Sequence, residues 1–311
     1  MEQWSSTPFI LTRPVNQWSV YKEWDTTSLL QQYGSVKFRA ESVDWTLQTY
    51  TSYMNNSSDE SPLYLFDRSF VSKMNLDTSI SSKNPAYSIP SCFGEDLFAV
   101  LGPSRPDDKW LIVGPTRSGS TYHKDPNGTS AWNAVLRGSK YWIMFPSSTT
   151  PPGVYVSADQ SEVISPLSIA EWLLGFHAEA RKTPGCIEGV CYEGEVLHVP
   201  SGWWHLVVNL DASIAITQNF VPRSHLASVL EFLKNNIGDQ VSGFKKEVVD
   251  PYGTFVQRMK ETHPELLEQA MVEILKRAER RKRKWDEVAA AEGSAVGFSF
   301  GFGDDSDEDV P

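Results

Sequence analysis

Cysteine is scarce in this sequence. Among 311 residues only Cys92, Cys186 and Cys191 occur, an odd number with no repeated spacing. Disulfide frameworks need paired cysteines and an oxidising compartment, so we expect a reducing one, the nucleus or the cytoplasm. A structural zinc site is also disfavoured, because Cys186 and Cys191 have no second close pair of ligands in the sequence.

Long apolar runs are absent as well. No stretch approaches the roughly 18 consecutive apolar residues that cross a bilayer, so no membrane association is expected. The N-terminal residues include Glu2 and no extended apolar segment, so we expect no signal peptide. The composition, 40% hydrophobic with 11 tryptophans, nevertheless supplies enough apolar material for one large core.

An excess of positive charge is also missing. The net charge of −11 argues against a globally basic surface for nucleic acids. The charges are uneven, however, because basic residues cluster between Lys276 and Lys284 and the segment 304–309 is acidic. The simplest interpretation of the basic cluster is a solvated helix face. The alternatives, nuclear import or a nucleic-acid contact, make the nucleus slightly favoured over the cytoplasm.

The middle of the chain has the pattern of an antiparallel β domain. Between Lys109 and Phe220, short apolar segments rich in β-branched and aromatic residues alternate with Gly, Pro, Asn and Asp, which predicts a sandwich or barrel. One helix interrupts this pattern from Ser168 to Lys182, with Ser168 and Glu171 as a capping box. We divide the chain into an N-terminal α/β lead-in (1–60), a β domain (61–222), a C-terminal helical region (223–292) and an acidic low-complexity tail (293–311).

After Phe220 the apolar residues recur at helical spacing. Leu226, Val229, Leu230 and Leu233 recur at the spacing of one helix face. Two interpretations stay open at this point. These side chains cover the β domain, or they join two subunits as a homodimer through the C-terminal helices.

The candidate chemistry begins at His123 and Asp125, which are separated by one residue. In an extended segment alternate side chains share a face, so the imidazole and the carboxylate would point the same way. His205, at the start of an apolar strand, is the candidate for a third ligand. Two histidines and one carboxylate form the facial triad of non-haem Fe(II) oxygenases, which leaves coordination positions open.

A lysine and a threonine extend this hypothesis. A Fe(II) centre of this type needs a reductant, and a 2-oxo acid would chelate the open positions and supply electrons as it decarboxylates. Its distal carboxylate would then require a cation and a hydroxyl group, which Lys140 and Thr217 could provide. A buried lysine is costly when unpaired, so an anionic cosubstrate would give Lys140 a partner.

Three segments carry a resemblance to a known family. They are SPLYLFD, GPTRSGSTYHKDPNGTSAWNAVLRGSKYW and EVLHVPSGWWHLVVNLDASIAITQNF. Together they resemble the jumonji C (JmjC) family of Fe(II)- and 2-oxoglutarate-dependent oxygenases, closest to the branch of lysyl hydroxylases also described as arginine demethylases. The similarity covers about residues 8–225. It implies a mainly β fold with α elements: a double-stranded β-helix, or cupin-like jelly roll, between the lead-in and the C-terminal helices.

The resemblance implies a role for each residue of the proposed site. It implies His123, Asp125 and His205 as catalytic iron ligands, and Lys140 and Thr217 as the residues that bind the distal carboxylate of 2-oxoglutarate.

Three further residues complete the implied cosubstrate site. The resemblance implies Asn133 near the oxo-acid end of 2-oxoglutarate, Tyr64 at its distal end and Ser120 on the pocket wall. The sequence departs from the family at Lys124, where an apolar residue is common. By strand alternation we expect Lys124 to point away from the iron.

The implied activity uses Fe(II), 2-oxoglutarate and O₂, with ascorbate as the reductant in vitro. The preferred reaction is hydroxylation of a protein side chain, most simply lysine, with conversion of 2-oxoglutarate to succinate. Demethylation of N-methyl arginine or lysine, as in a histone, is the alternative. A catalytically silent scaffold for chromatin- or RNA-associated partners is the second alternative. The expected partner is a lysine- or arginine-containing protein such as a histone or an RNA-processing factor.

Overall fold

The computed structural model describes residues 4–79, 82–157, 163–166, 168–236 and 241–293. Its strands are β1 (Phe9–Leu11), β2 (Lys37–Ala40), β3 (Val43–Thr46), β4 (Leu65–Asp67), β5 (Lys109–Gly114), β6 (Gly119–His123), β7 (Ser130–Arg137), β8 (Ser139–Phe145), β9 (Tyr155–Val156), β10 (Val163–Ile164), β11 (Ile187–Tyr192), β12 (Val196–Val199), β13 (Trp204–Asn209) and β14 (Ser213–Phe220). Its α-helices are α1 (Ser19–Glu23), α2 (Thr26–Tyr33), α3 (Leu47–Asn56), α4 (Phe70–Lys73), α5 (Ile169–Gly175), α6 (His177–Ala180), α7 (Leu226–Asn235), α8 (Pro251–Thr262) and α9 (Pro264–Gly293). The expected acidic tail (293–311) lies outside the described residues except for Gly293, which ends α9.

Two antiparallel sheets form the body of the chain. The larger has eight strands in the order β1-β12-β7-β14-β5-β4-β2-β3, and the smaller has four in the order β11-β8-β13-β6. Val135 and Leu197 of the larger sheet and Met144 and Val207 of the smaller belong to one buried apolar cluster. The sheets therefore face each other as in a jelly roll, which confirms the predicted mainly β fold.

The two faces of strand β5 have different surroundings. Leu111 and Val113 are buried in the large cluster on one face of the sheet, whereas Trp110 and Ile112 line a cavity on the other face. Alternate side chains of a strand point to opposite faces, so this segment is apolar on both sides. The face of β5 that points away from the cavity is therefore packed against an apolar cluster.

The N-terminal segment is continuous with the larger sheet. Strand β1 pairs with β12, and β2 joins the sheet through β4. Trp24, Phe38 and Tyr50 are buried in the cluster that covers this sheet. The proposed bounds 1–60 and 61–222 stay a prediction, since hydrogen bonds unite strands from both sides of residue 60.

The helix predicted from Ser168 to Lys182 is two shorter helices, α5 and α6. The capping box is present, because Ser168 Oγ accepts from the Glu171 backbone N–H and the Glu171 carboxylate accepts from the Ser168 N–H. Phe176 breaks the helix with φ −126° and ψ −14°. The break directly follows Gly175, a residue that disfavours helix, and the Phe176 ring packs against Gly153, where a Cβ would collide with it.

The leucine-rich face of α7 points into a core within the chain. Leu226, Val229, Leu230 and Leu233 are buried with Phe255 and Met259 of α8 and with Leu97, Phe98 and Leu101 of a 3₁₀ segment. These positions therefore do not join two subunits, and the homodimer stays a prediction for the rest of the helical region. None of the helices in the described ranges is long and apolar enough to cross a membrane.

The basic cluster on α9 is partly structural. Arg277 pairs with Glu273 on its own helix and with Glu231 on α7, and Arg281 also pairs with Glu231. The expectation of a solvated face is therefore wrong for Arg277, whose guanidinium ties α9 to α7.

Candidate active site

A cavity of about 680 Å³ lies between the two sheets. Seven of the residues predicted for the site line it: Tyr64, Ser120, His123, Asp125, Asn133, His205 and Thr217. Lys140 does not line the cavity directly but reaches it through a hydrogen bond to the Tyr64 hydroxyl. The structure therefore brings all the predicted residues to one place.

His123, Asp125 and His205 form the metal-binding candidate. His123 ends β6, and His205 lies opposite it near the start of β13, with their ring centroids 4.1 Å apart. Asp125 follows β6 at the start of the turn Pro126–Gly128. One ligand atom from each of the three residues lies within 4.8 Å of the others, so they can share one ion.

Backbone carbonyls fix the orientation of both imidazoles. His123 Nδ1 lies 2.8 Å from the Thr121 carbonyl oxygen, and His205 Nδ1 lies 3.1 Å from that of Trp203. A carbonyl oxygen only accepts, so each Nδ1 carries a proton and Nε2 is the nitrogen that remains for a metal. This second hydrogen bond is the usual way in which proteins orient a metal-binding histidine.

The electrostatics of these groups suit a divalent cation. Burial raises the pKa of Asp125 to about 6, opposed by His123 and by a hydrogen bond from Asn219. Burial, then His123, lowers the pKa of His205 well below its usual value. Asp125 Oδ2 is buried without a hydrogen-bond partner. Two imidazole nitrogens and an unpartnered carboxylate oxygen fit Fe(II) or a similar ion, which would bind all three at once.

Lys140 forms a second, cationic half of the site. It lies in β8 and is fully buried, and its Nζ donates to Tyr64 Oη at 2.8 Å and to Asn209 Oδ1 at 2.7 Å. Burial lowers the pKa of Lys140 to about 7. None of the ion pairs among the described residues includes Lys140, so it has no carboxylate partner. An anion bound in the cavity would supply one.

Asn133 and Thr217 lie opposite each other on β7 and β14. Asn133 Oδ1 is buried and unpartnered, which leaves it for a bound molecule. Thr217 Oγ1 donates to the Trp132 carbonyl oxygen at 2.8 Å, so its lone pairs, rather than its proton, are free. This differs from the expected hydroxyl donor. Ser120 lines the cavity from β6.

The sequence interpretation missed the cavity mouth. Phe66 and Trp110 stack there with ring centroids 5.4 Å apart, and the Phe66 side chain remains exposed. Glu41 and Glu60 line the same cavity, and Glu60 accepts a 2.6 Å hydrogen bond from Ser168 Oγ. Aromatic faces and carboxylates both attract cations.

Lys124 behaves as the strand alternation predicts. Its Nζ lies 4.6 Å above the Trp204 ring, and it is not among the residues that line the cavity. The departure from the family pattern at this position therefore stays outside the site.

Comparisons with known proteins identify a family and several relatives. Residues 3–225 match the family described as Cupin-like domain. Arginine-specific demethylase JMJ22 of Arabidopsis thaliana is 42% identical over 307 residues, which cover 94% of this chain and 57% of that protein. The bifunctional arginine demethylase and lysyl-hydroxylase psr-1 of Caenorhabditis elegans is 32% identical over 273 residues, 84% of this chain and 64% of that protein.

A more distant relative carries the cosubstrate in its name. The 2-oxoglutarate and iron-dependent oxygenase JMJD4 of Homo sapiens is 27% identical over 198 residues, 62% of this chain and 46% of that protein. The chain spans less than two thirds of the length of each of these relatives. The facing sheets, the His–Asp–His group and the match over residues 3–225 lead to one assignment: the chain belongs to the family of cupin-like JmjC domains.

Proposed function

We propose that this chain is a Fe(II)- and 2-oxoglutarate-dependent oxygenase that hydroxylates a protein side chain, with lysine as the preferred target. One observation carries the proposal. The cavity has a His–Asp–His group on one wall, and the buried Lys140, without a carboxylate partner, reaches it through Tyr64. A 2-oxo dicarboxylate matches both halves, because one end chelates a metal and the other is an anion.

The chain's own residues position the reactants. His123, Asp125 and His205 would hold the metal, and Lys140 would bind the distal carboxylate with Tyr64 beside it. When bound, Fe(II) with 2-oxoglutarate and O₂ would supply the oxidising power for C–H hydroxylation, with 2-oxoglutarate converted to succinate and CO₂.

The cavity mouth supports a cationic target. Glu41 and Glu60 and the stacked pair of Phe66 and Trp110 line it. An ammonium or guanidinium group would meet carboxylates and aromatic faces there. This chemistry fits a lysine or arginine side chain of a protein, such as a histone or an RNA-processing factor.

The second candidate is removal of an N-methyl group from arginine. The relative that is 42% identical is named an arginine-specific demethylase, which favours this reaction. Hydroxylation of an N-methyl carbon uses the same metal and cosubstrate, and the product releases formaldehyde. A catalytically silent scaffold is the third candidate, and the complete donor set argues against it.

Mass spectrometry separates these three candidates. The protein is incubated in air with Fe(II), ascorbate, 2-oxoglutarate and one of two matched peptides, which contain either lysine or dimethylarginine. A gain of one oxygen supports the hydroxylase, and loss of a methyl group with formaldehyde release supports the demethylase. An iron-loaded protein that forms no succinate, with or without peptide, contradicts the oxygenase proposal.

A further inference from the structure

Asn209 is the second acceptor for the buried Lys140 ammonium. Tyr64 supplies the other, so both hydrogen-bond partners of Lys140 Nζ are uncharged oxygens. Asn209 is itself buried and lies directly opposite Lys140, where β13 pairs with β8. It is the strand residue four positions after His205, and it therefore shares a face with that candidate ligand.

A chain of hydrogen bonds fixes which way the Asn209 amide points. Ser118 Oγ donates to the Pro115 carbonyl oxygen at 2.7 Å, so it accepts the 2.9 Å bond from Asn209 Nδ2. With Nδ2 turned toward Ser118, Oδ1 must face Lys140. Lys140 Nζ can only donate, so the same orientation satisfies both neighbours.

Backbone hydrogen bonds also fix the position of Asn209. The Asn209 N–H donates to the Ser118 carbonyl oxygen, and the Arg117 N–H donates to the Asn209 carbonyl oxygen, each at 2.8 Å. A Cβ on Gly114 would collide with Ser118, Tyr64 and Asn209, so no larger residue fits beside this network. Asn209 is therefore rigid from both its main chain and its side chain.

We infer that Asn209 is a positioning residue that holds the Lys140 ammonium toward the cavity without neutralising it. This inference rests on the proposed function. An aspartate has nearly the same shape but would form a permanent ion pair with Lys140. The neutral amide leaves the charge of Lys140 to be matched by the distal carboxylate of the cosubstrate.

The test compares two 2-oxo acids on the protein and on its Asn209→Asp variant. 2-Oxobutyrate has the chelating end of 2-oxoglutarate but lacks the distal carboxylate. Dissociation constants are measured by calorimetry on Mn(II)-loaded protein, so that no turnover occurs. In Asn209→Asp we expect 2-oxoglutarate to bind about 10-fold or more weakly, with 2-oxobutyrate changed less than about twofold.

The pH profile gives a second readout. Because burial lowers the pKa of Lys140 to about 7, wild-type affinity for 2-oxoglutarate should fall as the pH rises above this value. The other titratable groups that face Lys140 are Tyr64 and Cys191, and burial raises the pKa of both, that of Cys191 to about 12. In Asn209→Asp the new carboxylate favours the ammonium form, so the affinity should be lower and nearly independent of pH.

A matched variant controls for the general effect of an asparagine-to-aspartate change. Asn236→Asp makes the same change at a half-buried amide that follows α7, bonds the Phe232 carbonyl oxygen and does not line the cavity. It should leave both dissociation constants unchanged. If Asn209→Asp does not fold, Ser118→Ala removes the group that orients the amide, and a selective loss of about threefold for 2-oxoglutarate is expected.

The possible failures are distinguishable. If the wild type binds the two 2-oxo acids equally, the proposed function and its use of Lys140 are wrong. If the wild type prefers 2-oxoglutarate and Asn209→Asp, or Ser118→Ala in its place, keeps that preference undiminished, the inference about Asn209 is wrong. Equal weakening of both acids in the variant also overturns it, because that pattern indicates general damage to the pocket.

Discussion

The two halves of the cavity are built in different ways. In the metal half, His123 and Asp125 are two residues apart, and each imidazole is oriented by a carbonyl two residues before it. In the cationic half, Lys140 meets Tyr64 and Asn209, which are 76 and 69 residues away in sequence. Two of the three metal ligands are thus local to each other, whereas His205 and the whole cationic half are brought into place only by the completed sheets.

This difference has an electrostatic counterpart. The metal half offers an unpartnered carboxylate oxygen and two imidazoles oriented through Nδ1, a donor set for a cation. The other half holds an ammonium without a carboxylate partner, so it lacks an anion. The halves are complementary to the two ends of one metal-bound dicarboxylate. Variants in each half should therefore fail in different, separable ways.

The largest effect is expected in the metal half. His205→Ala removes a ligand that is buried and held at Nδ1, so Fe(II) affinity should fall on the order of 100-fold or more and succinate formation should be lost. Calorimetry with Mn(II) and a succinate assay measure the two losses.

His263→Ala is the control for that variant, because His263 pairs with Glu95 outside the cavity. It should retain both metal binding and turnover. Unchanged metal affinity in His205→Ala would mean that the three residues do not form the metal site.

The same contrast explains what could be predicted from the sequence. The spacing of His123 and Asp125 is visible because a strand period of two places both on one face. Asn209 gave no such signal, since its segment, NLDA, has the composition of a turn after a strand. Only its pairing with Lys140 across β13 and β8 reveals its role.

The fold, too, was predictable in part from the sequence. Short β-branched segments predicted the antiparallel sheets, because such side chains pack on both faces of a buried strand. The break between α5 and α6 was missed, although Gly175, a residue that disfavours helix, stands directly before it. The direction of the Thr217 proton was also hidden, because it is set by the Trp132 carbonyl.

The second largest effect is expected from Lys140→Met. Methionine keeps the length of the side chain but removes the charge, so 2-oxoglutarate should bind about 10- to 100-fold more weakly while metal affinity is retained. Thermal stability should stay equal or rise, because a buried ammonium without a carboxylate partner is replaced by an apolar group.

Lys124→Met is the matched control for Lys140→Met. Its ammonium lies over Trp204, and the residue does not line the cavity, although it stands between two candidate ligands in the sequence. It should leave 2-oxoglutarate affinity unchanged. A loss of similar size in both variants would contradict the assignment of the anion site to Lys140.

The smallest effect should come from Thr217→Val, which tests whether charge or a neutral hydroxyl dominates the cationic half. Thr217 donates its proton to the Trp132 carbonyl oxygen, so it offers a bound carboxylate no hydrogen bond unless the hydroxyl rotates. A neutral hydrogen bond contributes about 1 kcal/mol, so 2-oxoglutarate affinity should fall at most about fivefold, with metal affinity unchanged. Calorimetry of the valine variant beside Lys140→Met measures the ratio of the two contributions. A loss in Thr217→Val as large as that in Lys140→Met would mean that the hydroxyl turns toward the carboxylate and carries as much of the binding as the ammonium.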